Sequence, residues 1–453
     1  MERERYRQAV ADLQQQYDVL PAGAPVRLGK RTSNLFRPRA DTSAPRLDVS
    51  AFAGVLEVDP VARTADVLGM TTYEDLVDAT LPHGLMPLVV PQLKTITLGG
   101  AVTGLGIESS SFRNGCPHES VLDMDVLTGD GRVVTCSRTH ERELFTGFPN
   151  SYGTLGYALR LRIELEPVQP FVHLRHVRVA GAAGAAALMA QVCSAREHGG
   201  ERVDFVDGTW FSDGEVYVTL ASFTDDAPTL SDYTGMSVYY RSLQRRRQDW
   251  LTVRDYLWRW DTDWFWCSRA FGVQNPAVRR WVPRRLMRSD TWWRLVAFER
   301  RHRWKERWDV RRGGAPREYV IQDVEVPVDR LAEFLAFFAR EIPIEPVWLC
   351  PLQQRDRDVV WELYALDPAT LYVNVGFWST VDLAPGETDG THNRRVEQVV
   401  GQLGGRKSLY STSFYDPDEF WRLYGGEVYE RLKKTYDPEG QLLDLYAKCV
   451  QRR

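Results

Sequence analysis

Thr97-Leu-Gly-Gly-Ala-Val-Thr-Gly-Leu-Gly-Ile-Glu-Ser-Ser-Ser-Phe-Arg-Asn-Gly115 places four glycines, Gly99, Gly100, Gly104 and Gly106, just ahead of Ser109, Ser110 and Ser111. A backbone without side chains bends sharply and approaches a ligand closely, and neighbouring hydroxyls add donors. The stretch therefore reads as a phosphate cradle able to hold a pyrophosphate. An ordinary glycine-rich connection between strands has the same composition, so the surrounding chain must decide between the two.

Two other turns lie nearby. Val26-Arg-Leu-Gly-Lys-Arg-Thr-Ser-Asn34 runs a short apolar strand into Lys30, Arg31, Thr32, Ser33 and Asn34, chemistry suited to an anion, with a solvated basic loop as the plainer reading. Asn150-Ser-Tyr-Gly-Thr-Leu-Gly156 is a third small-residue turn, where a flat ligand can lie against Gly153, Thr154 and Gly156. Three such turns in one N-terminal region favour the cradle.

The rest of that region reads as a small α+β unit. Tyr6, Val10, Leu13 and Tyr17 mark an amphipathic helix over 3–18, and Leu47–Val49, Val55–Val58 and Ala65–Leu68 are short strands. Thr71 and Glu74 form a capping box ahead of a helix that ends near Pro82 to Gly84. Thr128-Gly-Asp-Gly131 joins Val121–Leu127 to Arg132–Cys136 as a hairpin, and Tyr157–Leu165, with Ile163, alternates as a half-buried strand.

At 453 residues the chain is long enough for two or three domains, and its 57 basic and 61 acidic residues leave no overall bias toward nucleic acid. Six cysteines without a CxxC pair indicate neither a disulfide framework nor a metal site, and a reducing cytoplasm is expected. The N-terminus lacks a signal-peptide core, and no apolar run of about 18 residues appears, so no spanning segment is expected.

Composition changes after Pro167, which divides the chain into an N-terminal unit at 1–168, a second α+β unit at 169–405 and a returning segment at 406–453. The second unit reads as a strand, Phe171–Val179, an alanine-rich helix, Gly181–Cys193, and strands at Val203–Trp210 and Glu215–Phe223. A strand at Glu318–Val326 and a helix carrying Val328, Leu331, Phe334, Leu335 and Phe338 follow. Strands at Val347–Cys350, Val359–Leu366 and Leu371–Phe377 complete an antiparallel sheet, and Leu409-Tyr410-Ser411 is a short strand of the last segment.

Residues 238–312 stand apart, with 20 Lys/Arg against 8 Asp/Glu and ten of the fifteen tryptophans. Indoles and guanidinium groups at this density, with Arg279, Arg280, Arg284 and Arg285 clustered, suit a membrane surface. A structural cover whose tryptophans are core is the alternative. Nucleic acid is not expected as a partner, because no recognisable module surrounds the stretch.

With the three turns in order, the sequence resembles the vanillyl-alcohol-oxidase-like, PCMH-type FAD-binding flavoproteins. The resemblance is closer to the sterol delta-24 reductase branch, through Gly104-Leu-Gly-Ile-Glu-Ser-Ser-Ser111, Ser151-Tyr-Gly-Thr-Leu-Gly156, Val320-Ile-Gln-Asp-Val-Glu-Val-Pro327, Pro346-Val-Trp-Leu-Cys-Pro351 and Glu419-Phe-Trp421. Pro21-Ala-Gly-Ala-Pro25 through Arg37 is similar to the actinobacterial reductases of tuberculostearic-acid synthesis, which saturate a methylene branch on a fatty-acyl chain.

The resemblance implies an α+β fold: a PCMH-type FAD-binding domain, then a substrate (cap) domain with an antiparallel sheet. Noncovalent FAD would meet residues 30–34, Thr97, Gly99, Gly100, Gly104, Gly106, Ile107, Glu108, Ser109, Ser110, Gly153, Thr154, Gly156 and Ile163. NADPH is the implied electron donor for an alkene reductase acting on a methylene-branched fatty acyl chain or a sterol side chain. The alternative is an FAD-dependent oxidase or dehydrogenase of a sugar or alcohol.

The resemblance implies that the strand after Gly404-Gly405-Arg406 reaches the flavin, which makes Tyr410 the favoured proton donor, with Tyr319 second, while Cys350 either faces the flavin or fills space. The resemblance also implies a lipid substrate, a lipid methyltransferase as partner, and a cytoplasmic protein peripheral on the inner face of the cell membrane.

Overall fold

The computed structural model describes residues 2–21, 23–30, 36, 45–212, 214–302 and 315–451, so Arg31, Thr32, Ser33 and Asn34 lie outside the described residues. Two antiparallel sheets organise the chain. The first runs in the order Val55–Asp59, Thr64–Leu68, Tyr157–Pro167, Val121–Leu127, Val133–Ser137, with Leu85–Pro87 also pairing to the long Tyr157–Pro167 strand. That strand buries Leu159, Leu161, Ile163 and Leu165, as its alternation requires.

Between Pro167 and Phe171 the chain leaves this sheet for one of eight strands. Its order is Gln248–Thr252, Phe171–Val179, Glu215–Thr224, Phe205–Ser212, Val347–Leu352, Tyr372–Asp382, Arg317–Pro327, Arg406–Lys407. Side chains on successive strand residues point to opposite faces, and here the two faces have different tasks. Val347, Leu349, Val324, Val375 and Phe377 pack beneath the helices Gly181–Ala195, Leu331–Glu341 and Thr391–Gln402. Trp348, Cys350 and Trp378 turn the other way, into the apolar core shared with the first sheet.

Four local expectations are corrected. The helix Tyr73–Thr80 is capped by Thr72, whose side chain accepts from Asp75 N–H. Thr71 is buried instead and donates to Leu68 C=O at 2.6 Å, so Thr71 and Glu74 form no capping box. The glycine stretch is not one loop: Thr97 caps a helix over Leu98–Gly104, and the open turn begins at Leu105, with φ 63°.

Residues 359–366 are not a strand. Trp361 packs on His118 and Phe145, and Leu363 C=O accepts from the Asn150 amide, which pulls this segment onto the first domain. The strand expected at Leu409–Ser411 lies earlier, at Arg406–Lys407, paired with Glu325 and Val324. Buried Lys407, 2.9 Å from Glu397, anchors that end and frees Tyr410 to turn inward.

The final helices return to the first domain. Lys433 donates to Thr154 C=O and Lys448 to Tyr152 C=O, so the C-terminal segment clamps the third small-residue turn.

Candidate active site

Glycine decides the shape of the cradle at two places. A Cβ on Gly104 would stand 3.2 Å from the Tyr152 ring, and one on Gly106 would meet Pro91 at 2.9 Å and Pro117 at 3.0 Å. Tyr152, itself at φ 51°, donates to Gly104 C=O at 2.7 Å and so ties the first glycine turn to the Asn150–Gly156 turn. No described residue accepts from the N–H groups of Gly106 and Ile107, and the side-chain oxygens of Asn150 and Ser151 are buried without a partner. Unspent N–H groups in a bare turn and the unpartnered Ser151 hydroxyl, which can donate, fit a pyrophosphate-bearing cofactor.

The remaining cofactor candidates separate into two groups. Gly153, at φ 73°, and Gly156, at φ 145°, shape the third turn, and the Thr154 hydroxyl closes it on Ser151 C=O at 2.7 Å. Thr97 and Gly100 form the helix cap, and Gly99 allows close packing, since a Cβ there would stand 2.7 Å from Gly69 C=O. Lys30 is the last described residue before position 36.

Four of the expected cofactor residues have side chains engaged within the protein. Glu108 is fully buried, 2.8 Å from Arg259, and also accepts from Gln92 and Ser109. The Ser109 hydroxyl lies 2.9 Å from that of Tyr256, and Ser110 donates to Leu88 C=O. Ile163 sits in mid-sheet, with register partners Ala65 and Val121 on either side, and its side chain is core. These residues support the cradle through the fold.

Arg259 joins the two domains. It lies 4.0 Å over the Tyr256 ring and 2.9 Å from Asp207 of the second sheet, whose carboxylate also accepts from the indoles of Trp260 and Trp348. Burial opposes its charge, but Glu108 and Asp207 hold the guanidinium protonated.

Across the cradle, Tyr410 is partly buried against the core and its hydroxyl accepts from the Trp378 indole at 2.8 Å. Its other partner is Asp323, which also accepts from Asn374 at 3.0 Å. Burial raises the Asp323 carboxyl to about 6, and burial together with the neighbouring Asp323 raises the Tyr410 hydroxyl well above its ordinary value. Ser408, two residues before Tyr410, lies 3.3 Å from the Tyr152 hydroxyl, so this acid pair adjoins the glycine turns.

An aromatic wall completes the site. Phe36 packs edge-on to Tyr410 at 5.9 Å and stacks on Trp264 at 5.4 Å, while Phe265 and Trp266 lie 4.5 and 5.5 Å from Trp378. Trp264 and Phe265 have φ of 46° and 59°, a region bulky residues avoid. Buried carboxylates on either side hold this turn: Asp261 accepts from Ser289 and Lys94 N–H, and Asp263 from Ser268 and both ends of Arg279.

The other catalytic candidates are placed apart from Tyr410. Tyr319 shares a strand face with Asp323 but stands 39% exposed at its outer end, where water competes for its proton. Cys350 is buried beside the Arg259 cluster, and burial holds its thiol well above the ordinary range, so it is not a thiolate. Asp323 escaped sequence reasoning, although a carboxylate inside an otherwise apolar strand was a usable signal.

A family model described as an FAD binding domain matches residues 12–137. The chain carries a PCMH-type FAD-binding domain. The flavoprotein is 26% identical over 430 residues to Delta(24)-sterol reductase of Rattus norvegicus, covering 89% of this chain and 76% of that protein. It is 25% identical over 461 residues to Delta(24)-sterol reductase of Arabidopsis thaliana, covering 90% and 77%. Cytokinin dehydrogenase 6 of Oryza sativa is 41% identical over 115 residues, 25% of this chain and 21% of that one.

These similarities make the flavoprotein an FAD-dependent oxidoreductase. Among the described residues no helix is long and apolar enough to cross a membrane, and no group of three or more His, Cys, Asp or Glu is placed to hold a metal ion.

Proposed function

We propose that this flavoprotein reduces a carbon–carbon double bond of a lipid, with NADPH as electron donor and a methylene-branched fatty acyl chain or a sterol side chain as substrate. The observation that carries the reading is the partly buried Tyr410 hydroxyl, bonded to Trp378 and Asp323 beside an aromatic wall. The sterol reductase relatives support it independently.

An isolated alkene needs a proton on one carbon and a hydride on the other, and bound FAD supplies the hydride. Tyr410 holds the proton. With Asp323 protonated, its O–H donates to the Tyr410 oxygen, leaving the phenol O–H free for the alkene carbon. Positive charge then develops on the more substituted carbon, where the faces of Phe36, Trp264 and Trp378 attract it. The buried wall keeps competing water away.

Anaerobic visible spectroscopy tests the reading. NADPH should bleach the flavin band near about 450 nm, and a methylene-branched phospholipid should restore it. Restoration by a sterol alkene alone would assign the sterol side chain, and restoration by neither would overturn the proposal. Single-turnover reduction should fall as pH rises through about 6, where Asp323 loses its proton. Tyr410→Phe should lower it about 100-fold or more, and full activity in that variant would remove Tyr410 as the acid.

We also propose that the outer part of the basic segment touches a lipid surface. Val278, Trp281 and Leu286 are exposed there, Trp281 by 77%, and Arg280 lies 5.4 Å over the Trp281 ring.

A further inference from the structure

A cavity of about 300 Å³ opens on the second domain beside the aromatic wall, lined by Phe211, Tyr240, Arg241, Arg245, Arg269 and Glu345 among others. It carries three guanidinium groups against one carboxylate, and none of the three is in an ion pair with a described residue. Arg241 donates only to uncharged oxygens, the Tyr240 hydroxyl and Gln274 C=O, and Arg269 only to Glu345 C=O. Arg245 is exposed, and its side chain has no partner among the described residues.

The floor of the cavity leads inward. Tyr240, stacked on Phe211 at 6.2 Å, lies 6.2 Å from Trp266, which lies 5.5 Å from Trp378, the residue that donates to Tyr410. A cationic mouth is thus backed by apolar rings in continuous contact as far as Tyr410. Such an arrangement matches an amphipathic ligand with an anionic head and a hydrocarbon tail. Planar guanidinium forks suit a phosphate in particular.

We propose that Arg241, Arg245 and Arg269 form a subsite for the phosphate head of a lipid substrate whose tail runs along Tyr240 and Trp266 toward Tyr410. The inference rests on the proposed lipid alkene reductase and names the part of the substrate that this cavity recognises.

Calorimetric titration of the flavin-loaded protein with oleyl phosphate, oleyl alcohol and inorganic phosphate tests it without turnover. Oleyl phosphate should bind at least about tenfold more tightly than oleyl alcohol. Arg245→Gln should remove part of that preference, and Arg241→Gln with Arg245→Gln most of it, with oleyl alcohol binding and flavin content unchanged.

Unchanged oleyl phosphate affinity in both variants would overturn the subsite. Equal affinity for inorganic phosphate and oleyl phosphate would overturn the lipid assignment in favour of a free-phosphate site. If oleyl phosphate binds as expected but no lipid alkene restores the NADPH-bleached flavin, the subsite stands and the proposed reaction falls.

Discussion

Arg259 and Arg280 belong to the same basic, tryptophan-rich segment, and each lies over an aromatic ring, yet they have opposite surroundings. Arg259 is fully buried, 4.0 Å over Tyr256, between Glu108 and Asp207. Arg280 lies 5.4 Å over Trp281, which is 77% exposed. Trp258, Trp260, Trp264, Trp266 and Trp292 follow the first pattern and are core. The inner stretch holds the site together, and the outer one presents apolar and cationic groups to whatever meets the surface. Arg279 marks the border: it is buried on Asp263 and is therefore removed from the expected lipid-binding cluster.

The comparison breaks most sharply at Arg259. Replacing it by Leu leaves two carboxylates buried without a cation and should cost about 3–5 kcal/mol. Arg280→Gln should change stability by less than about 0.5 kcal/mol. Urea unfolding followed by circular dichroism measures both, and similar midpoints for the two variants would erase the distinction.

A smaller effect is expected at Asp323, a partly buried group in no ion pair among the described residues. Its carboxyl ionises near about 6 in the fold against 3.8 ordinarily, so the folded chain binds the proton more tightly than the unfolded one. That stabilising contribution is full below about pH 4 and is lost as pH rises through about 6. Asp323→Asn should therefore resemble the parent at pH 4 and exceed it at pH 8 by up to about 3 kcal/mol. Unfolding midpoints at the two pH values decide it, and a variant less stable at pH 8 would contradict the assignment.

The smallest effect on stability belongs to the outer stretch. Replacing Arg280, Arg284 and Arg285 together by Gln should move the unfolding midpoint little, yet weaken cosedimentation with anionic phosphatidylglycerol vesicles by about 1 kcal/mol per removed charge. Unchanged sedimentation would end the membrane role of that surface.

Most strands were legible because alternation and turn chemistry are local: Tyr157–Pro167 and the hairpin around Thr128–Gly131 needed nothing beyond their own residues. The glycine turns were legible for the same reason, since a bare backbone is visible in sequence. Residues 359–366 were misread because their apolar side chains are used to anchor the segment on the first domain, a contact that leaves no local periodicity.

The sequence by itself determined the glycine-rich turns and the two-sheet α+β organisation, because backbone conformation and strand patterning depend on adjacent residues, while the candidacy of Tyr410 came from the family resemblance. Only the tertiary structure decided that Glu108 answers to Arg259, that Asp323 and Trp378 hold Tyr410, and which arginines are buried. The physical reason is that charge inside a protein is tolerated only where a partner stands within a few ångströms. Here those partners come from strands and turns far apart in the chain.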